Sequence, residues 1–136
     1  MDTEPLVGIP ASWAEKIWPA IEPMVARCFK KAKEHRMAPE HVLTMLLDKS
    51  LQLWIYEYDG EIKSIIITQI IDSPLAKECH IFMIVGVLPD DWSLAIEQVE
   101  QWAKSMGCTH MTAAARRGFI KLAGWDERQT YCVRAL

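Results

Sequence analysis

The chain has 136 residues, of which 51% are hydrophobic and 24% are charged. That length suits one domain with its own core, and we expect a single domain over residues 1–136. The net charge of −3 provides no overall basic field, so neither nucleic acid nor a membrane surface is an expected partner.

No apolar run approaches the roughly 20 residues that a transmembrane helix needs, and the N-terminal stretch lacks the layout of a signal peptide. The four cysteines show no Cys-x-x-Cys spacing, which favours free thiols in a reducing compartment. These features predict a cytoplasmic protein.

Proline spacing shapes the first predicted helices. Ser12 followed by Glu15 has the spacing of a capping box, which predicts a helix start at this point. Pro19 and Pro23 each remove a backbone donor, so we expect them to break or kink that helix. The apolar periodicity that follows predicts a longer helix over residues 21–35.

A β-hairpin is predicted in the middle of the chain, after another short helix. Pro39 suits the first turn of that helix. Two runs rich in branched and aromatic residues, 51–58 and 62–71, flank Asp59-Gly60, which is a strong hairpin signal. The isoleucines of the second run fall on both alternating faces, which predicts a strand covered on both sides.

The second half of the chain alternates between strands and helices. A strand is predicted over 79–87, and a helix with one broad apolar stripe over 92–106, ending at Gly107. A short strand over 109–113, a helix over 116–123 and a last strand over 131–136 follow. The order helix-helix-strand-strand-strand-helix-strand-helix-strand predicts an α/β (α+β) fold, with helices on both faces of a mixed, mostly antiparallel twisted sheet.

Three segments carry a resemblance to a known family. The segment "AARRGFIKLAGW" (114–125) is similar to the penultimate helix and Gly-Phe pair of the GNAT superfamily of N-acetyltransferases, with Trp125 where phenylalanine is usual. The segments "IWPAIEPMVARCFKKAKEH" and "LQLWIYEYDGEIKSIIITQI" resemble the first helices and central strands of that family. Only "PLVGIP" (5–10) is available for the family's first strand, so a shortened or missing strand is expected.

The resemblance implies an acyltransferase that uses acetyl-CoA or another acyl-CoA to modify an amine acceptor. A narrower likeness is to short GNAT-like proteins of tailed phages and prophages, which implies a bacterial host cytoplasm or a virion. It also leaves open an alternative without catalysis, in which the scaffold binds a protein partner as a virion, accessory or host-interaction protein. A homo-oligomer is compatible with that alternative.

The cofactor loop departs from the family's pattern. Active members carry Arg/Gln-x-x-Gly-x-Gly/Ala before the third helix, because glycines and free N–H groups let the backbone hold the pyrophosphate of CoA. Here residues 87–93 contain no glycine and no cation, and Pro89, Asp90 and Asp91 stand there. Either aspartate also suits the N-cap of the helix that follows, and this role alone explains why acidic residues stand there. Candidate cofactor-binding residues are Val85, Val87, Asp91, Trp92, Arg116 and Arg117, the two arginines as replacement cations.

The acid–base residues of the family have no clear counterpart. The tyrosine that many members place five residues before the glycine of Gly-Phe corresponds to Phe119, or with one residue of slip to Ile120. Neither side chain donates a proton. The weak catalytic candidates are therefore Glu57, on a central strand, and Tyr131.

Two further constellations carry alternatives. Cys79-His80 and Cys108-x-His110 begin strands expected to be parallel neighbours, which resembles a zinc ligand set. Adjacent residues of a strand point to opposite faces, so no metal is expected. The second constellation is an aromatic one that would line an apolar groove for a partner or pack in the core. Its members are Trp54, Tyr56, Tyr58 and Trp92.

Overall fold

A computed structural model describes residues 4–87, 89–114, 124–129 and 131–136. Within these ranges the chain forms five strands and three helices. In chain order they are β1 (Leu6–Ile9), α1 (Ala11–Ala32), α2 (Pro39–Leu47), β2 (Gln52–Tyr58), β3 (Glu61–Asp72), β4 (Lys77–Gly86), α3 (Trp92–Ser105) and β5 (His110–Ala113).

The strands form one sheet in the order β1-β2-β3-β4-β5. The pairs β1–β2, β2–β3 and β3–β4 are antiparallel, and the pair β4–β5 is parallel. A parallel pair needs a crossover connection, which α3 provides. The predicted mixed, mostly antiparallel sheet is thereby confirmed, as is the shortened first strand, since β1 has four residues.

The central strand β3 is buried from both sides. Ile65 and Ile67 lie in a core formed with α1 and α2, whereas Ile66 lies in a second core formed with α3. All three are fully buried. The uninterrupted apolar run therefore reflects helices on both faces of the sheet, as the sequence predicts.

The β2–β3 hairpin has the predicted turn. Asp59 and Gly60 adopt φ values of 55° and 76°, and the type I′ turn requires positive φ at both central residues. The turn sets the register of the two strands, with Tyr58 opposite Glu61.

The predicted break in the first helix is wrong, because α1 runs without interruption through Pro19 and Pro23. The two prolines lie four residues apart on the exposed side of the helix. The carbonyls that lose their partners, those of Glu15 and Pro19, therefore face solvent, where water replaces the missing N–H groups. Burial of the opposite side, which includes Ile21 and Val25, holds the helix together.

The predicted capping box is also wrong. Helix α1 begins at Ala11 with Pro10 as its N-cap, so Ser12 lies inside the first turn. A reciprocal cap occurs instead at α2, where the N–H of Ala38 donates to Nδ1 of His41 over 2.8 Å. Pro39 occupies the first turn of α2, as predicted.

Helix α3 ends as predicted and also covers the edge of the sheet. The N–H of Gly107 donates to the carbonyl of Lys104, and the N–H of Cys108 to that of Ala103, which is a Schellman motif. The side-chain amide of Gln98 accepts from the N–H of Leu6 at 2.9 Å and donates to its carbonyl at 2.8 Å. Gln98 thus acts as a hydrogen-bonding partner for the outer edge of β1.

The predicted last strand is absent, because residues 131–136 form no regular secondary structure. Tyr131 and Val133 are mostly exposed, so an alternating apolar pattern has no face to bury. The helix predicted over 116–123 lies outside the described residues.

The connection between α1 and α2 is held by a charged pair. Nε and Nη2 of Arg36 donate to the two carboxylate oxygens of Glu34, each over 2.9 Å. The Glu34 side chain is nearly buried, and the hydrogen bonds from Arg36 lower its pKa to about 2. The ionised carboxylate is therefore favoured by folding.

We expect Glu34→Gln to destabilise the fold by about 1 kcal/mol at pH 7, because Arg36 is half exposed and solvent screens the pair. The pKa of Glu34 is lower in the folded state, so its contribution is complete above its ordinary value of 4.5 and is lost as pH falls towards 2. Urea unfolding at pH 7 and pH 3 measures the difference. Glu61→Gln, at the exposed pair with Lys63, should change stability by less than about 0.5 kcal/mol. Equal effects of the two variants at pH 7 would contradict this account of the pair.

Candidate functional site

Strand β4 contains one residue that β3 does not match. Ile67 pairs with Met83 and Thr68 pairs with Ile81, so Phe82 is the extra residue of a β-bulge. Phe82 and Met83 both pack into the core on the α1–α2 side, which breaks the alternation of the strand. A bulge increases the local twist and bends the strand that carries it.

The two parallel strands separate at the same place. The pairing of β4 with β5 begins at Glu78 with His110 and ends at Ile81 with Ala113. Strand β4 continues to Gly86, and no described residue pairs with it there on the β5 side. We call the space beside residues 82–86 of β4, on the side of β5, the β4–β5 cleft. Edge backbone groups of β4 face this cleft.

Gly86 ends β4 where the chain must pass close to β3. Its φ is +100°, and a Cβ atom there would lie 2.2 Å from the carbonyl oxygen of Lys63. The next N–H, that of Val87, donates to the same carbonyl over 2.9 Å. A glycine at the end of an apolar strand is the sequence signal for such a close approach.

The connection from β4 to α3 is acidic at the helix N-terminus. Asp91 is the N-cap of α3, as expected, but its side chain makes no capping hydrogen bond to the backbone. Its carboxylate instead accepts from the hydroxyl of Ser93 at 2.6 Å. Pro89 has no N–H, and Asp90 is exposed beside Asp91. Two carboxylates therefore stand at a helix end that otherwise attracts anions.

His80 lies where the two strands are about to separate. Its Nδ1 is 3.0 Å from Oγ1 of Thr112, which is its register partner on β5. Burial lowers the pKa of His80; the Glu78 carboxylate opposes this effect and the Arg36 guanidinium reinforces it. The ring is therefore neutral at pH 7 and can accept a proton.

In the sequence, His80 stood out only as a member of the possible zinc ligand set. Its alignment with Thr112 depends on the register of β4 and β5, which local sequence does not reveal. A histidine within an otherwise apolar strand was the one available signal.

Four of the predicted cofactor residues lie in the described ranges, but on different sides of the sheet. Val85 lies beside the β4–β5 cleft and is partly buried against the α1–α2 core. Val87 is exposed just beyond it, Asp91 caps α3, and Trp92 packs against the α3 core. Arg116 and Arg117 lie outside the described residues, so a role as replacement cations stays a prediction.

The two weak catalytic candidates lie apart from each other. Glu57 is exposed near the end of β2, and β3 separates that strand from β4, a distance of about 10 Å at ordinary strand spacing. Tyr131 is 67% exposed, and its ring lies 5.9 Å from the guanidinium carbon of Arg36. The charge of Arg36 also lowers the pKa of His80.

The cysteine–histidine constellation has the chemistry of buried thiols. Among the described residues, no group of three histidines, cysteines or acidic residues could hold a metal ion. Burial raises the pKa of Cys79 to about 12, and burial also raises that of Cys108. Both thiols therefore stay protonated at pH 7 and are poor nucleophiles or ligands.

Trp54 of β2 packs in the core and also lines an open cavity of about 570 Å³ together with Trp102. Trp54 is buried, and its indole N–H donates to Oγ1 of Thr68 over 3.2 Å. Its ring packs edge-to-face against Trp102 of α3, with ring centroids 5.3 Å apart. Tyr58, by contrast, is exposed beside the hairpin turn.

A cavity of about 300 Å³ lies at the other end of the sheet, between the start of α1 and the end of α3. Its walls are mainly apolar and include Ile9, Leu53 and Met106, with Lys49 as the charged lining residue. It does not touch the residues of the β4–β5 cleft.

No family model and no curated protein matches the chain. Solved structures do match over nearly its whole length. A ribosomal-protein-alanine N-acetyltransferase from Brucella melitensis biovar Abortus 2308 is 12% identical with a TM-score of 0.66, over 96% of this chain and 99% of that one. The integron cassette protein HFX_CASS3, from the mobile metagenome of Cole Harbour Salt Marsh, is 13% identical with a TM-score of 0.72, over 97% and 90%.

A third similar structure is the aminoglycoside N-acetyltransferase AAC(6')-Iy in complex with CoA. It is 12% identical with a TM-score of 0.67, over 96% of this chain and 93% of that one. These likenesses confirm the expected fold: the chain has the fold of the GNAT acetyltransferases. None of the helices in the described ranges has the length and apolar character needed to cross a membrane.

We expect Gly86→Ala to destabilise the protein by about 3 kcal/mol, because the added methyl group would overlap the Lys63 carbonyl. Gly60→Ala is the matched control, because Gly60 also has a positive φ but has nothing within 4 Å of the added Cβ. It should cost only about 1 kcal/mol. Equal losses in urea unfolding would contradict the close approach at Gly86.

Proposed function

We propose that this chain is an acyl-CoA-dependent N-acyltransferase that transfers an acyl group from acetyl-CoA, or another acyl-CoA, to an amine. The observation that carries the proposal is the coincidence of the bulge at Phe82 with the end of the β4–β5 pairing. Together they open an edge of β4 between two parallel strands. Ligands of open α/β sheets bind beyond the carboxyl ends of such strands.

The β4–β5 cleft suits the pantetheine arm of CoA. That arm is a short chain with two amide groups, and the edge of residues 82–86 offers backbone donors and acceptors to an extended ligand. The likeness to an aminoglycoside N-acetyltransferase in complex with CoA supports the same class of donor. The acyl group would then lie near the narrow end of the cleft, close to His80.

The charge of the loop argues for weak donor binding. A diphosphate placed at the N-terminus of α3 would meet the exposed carboxylates of Asp90 and Asp91. At an effective dielectric of about 20, two unit charges 5 Å apart repel by roughly 3 kcal/mol, and solvent reduces this for exposed groups. Pro89 offers no N–H in compensation.

His80 supports the chemistry at the narrow end. The ammonium form of an amine must lose a proton before its nitrogen attacks a thioester, and a neutral imidazole can accept that proton. Most of the remaining rate enhancement in such a transfer comes from holding amine and thioester together. The proposal does not specify which amine is the acceptor.

The acidic loop favours a second candidate function without catalysis. In that case the chain keeps the GNAT fold and acts as a virion, accessory or host-interaction protein of a phage or prophage, through a protein partner or a second copy of itself. The exposed Trp13 suits such contacts, since tryptophan is frequent in binding surfaces. Acetyl-CoA binding separates the two candidates.

We expect acetyl-CoA to bind weakly, and Asp90→Asn/Asp91→Asn to raise its affinity about tenfold, or about 1.4 kcal/mol. Isothermal titration in low salt measures the effect, which should shrink in high salt. Asp72→Asn is the control for the loss of a distant carboxylate, because Asp72 pairs with Lys77 at the opposite end of β4. S-acetylpantetheine lacks phosphates, so its affinity should be the same in all three proteins.

The absence of acetyl-CoA binding in both the natural chain and the asparagine variant would overturn the enzymatic proposal. Stable self-association in sedimentation, together with that absence, would favour the partner-binding role.

A further inference from the structure

Two side chains meet across β4 and β5 in a way that the fold alone does not require. His80 and Thr112 are register partners, one pair before the last pair that joins the strands. Their side chains form a hydrogen bond of 3.0 Å between Nδ1 and Oγ1. The backbone hydrogen bonds of the ladder already join β4 and β5 at this position. A side-chain hydrogen bond between the two strands is therefore not needed to hold them together.

We propose that Thr112 is a positioning residue that holds neutral His80 with its proton on Nδ1, so that the lone pair of Nε2 accepts the proton of the amine substrate. This inference rests on the proposed acyl transfer. It adds the tautomer of the base and the residue that sets it.

The charges around His80 keep its ring neutral. Glu78 lies on the same strand two residues earlier, and His110 of β5 is opposite Glu78. On the α1 side stands the Arg36 guanidinium, which is bound by Glu34. Burial and Arg36 both disfavour an imidazolium, and Glu78 favours one.

A neutral imidazole has one N–H, so the two nitrogens have opposite roles. If Oγ1 of Thr112 accepts from Nδ1–H, Nε2 carries a lone pair and can act as a base. If the hydroxyl instead donates to Nδ1, Nε2 carries the proton and cannot accept another. The field of Arg36 disfavours protonation of both nitrogens, which makes the choice between tautomers decisive.

The proton balance of the transfer is complete with the thioester and amine alone. The ammonium form of the acceptor gives one proton to Nε2 of His80, and the freed amine nitrogen attacks the thioester carbonyl carbon. A C–N bond forms, the C–S bond breaks, and the second nitrogen proton passes to the thiolate. His80 then releases its proton to water, leaving an amide, a thiol and one H⁺.

The tautomer is measured directly by long-range ¹H–¹⁵N correlation spectra of the full chain, with His80→Gln used to assign its signals. We expect the Nδ1–H form in the natural chain, a shift towards the Nε2–H form in Thr112→Val, and return of the Nδ1–H form in Thr112→Ser. Thr44→Val is the control, because Thr44 is exposed on α2 and its hydroxyl donates to the Glu40 carbonyl, far from His80 in the fold. An Nε2–H ring in the natural chain would overturn the proposal, and so would an unchanged tautomer in Thr112→Val.

Steady-state kinetics test the consequence for the reaction. The kcat should rise with pH through an apparent pKa below 6.5 and then level off. Thr112→Val should lower the plateau about tenfold with an unchanged KM for the acyl donor, and Thr112→Ser should restore most of it. An unchanged kcat in Thr112→Val overturns the positioning role. If the spectra show the Nδ1–H form but the natural chain has no turnover, the proposed acyl transfer is wrong. The hydrogen bond between Thr112 and His80 would still be supported.

Discussion

At Phe82 the chain inserts one residue that β3 does not match, and the two sides of β4 diverge from that point. On the β3 side the ladder resumes at Met83 and holds β4 in the sheet as far as Gly86. On the β5 side the ladder stops at Ile81. Among the described residues, the same strand is therefore firmly paired on one edge and unpaired on the other beyond Ile81, and an extended ligand requires such an unpaired edge.

This arrangement is stable because β3 cannot slip. Ile65, Ile66 and Ile67 are fully buried, alternately against two different cores, so a shift by one residue would place each of these side chains in the wrong core. The bulge must then be absorbed within β4. Gly86 completes the constraint, because no other residue lets the chain leave β4 so close to the Lys63 carbonyl.

The sequence predicted features that depend on neighbours along the chain. The Asp59-Gly60 turn, the Gly107 end of α3 and the doubly buried β3 all follow from local residue types and periodicity. The prolines of α1 were misjudged, because their cost depends on whether Glu15 and Pro19 expose their carbonyls to water. That exposure is set by packing against the sheet rather than by the proline itself.

The geometry of the candidate site depends mainly on pairing between strands that are distant in the sequence. The bulge at Phe82 exists only relative to β3, and the bond between His80 and Thr112 exists only relative to β5. Neither feature can be recognised from the local sequence pattern. The acidic loop, by contrast, was readable directly from Asp90 and Asp91, and the structure keeps both carboxylates at the start of α3.

The fold and the loop would make opposite contributions to the proposed CoA site. The cleft would offer backbone groups to the uncharged arm and the carboxylates would repel the charged end, so net binding would depend on the balance of the two. Amide ¹H–¹⁵N shifts during titration with acetyl-CoA measure that balance at each residue. This account predicts the largest shifts at residues 82–86 of β4; saturable binding that leaves those amides unmoved would contradict it.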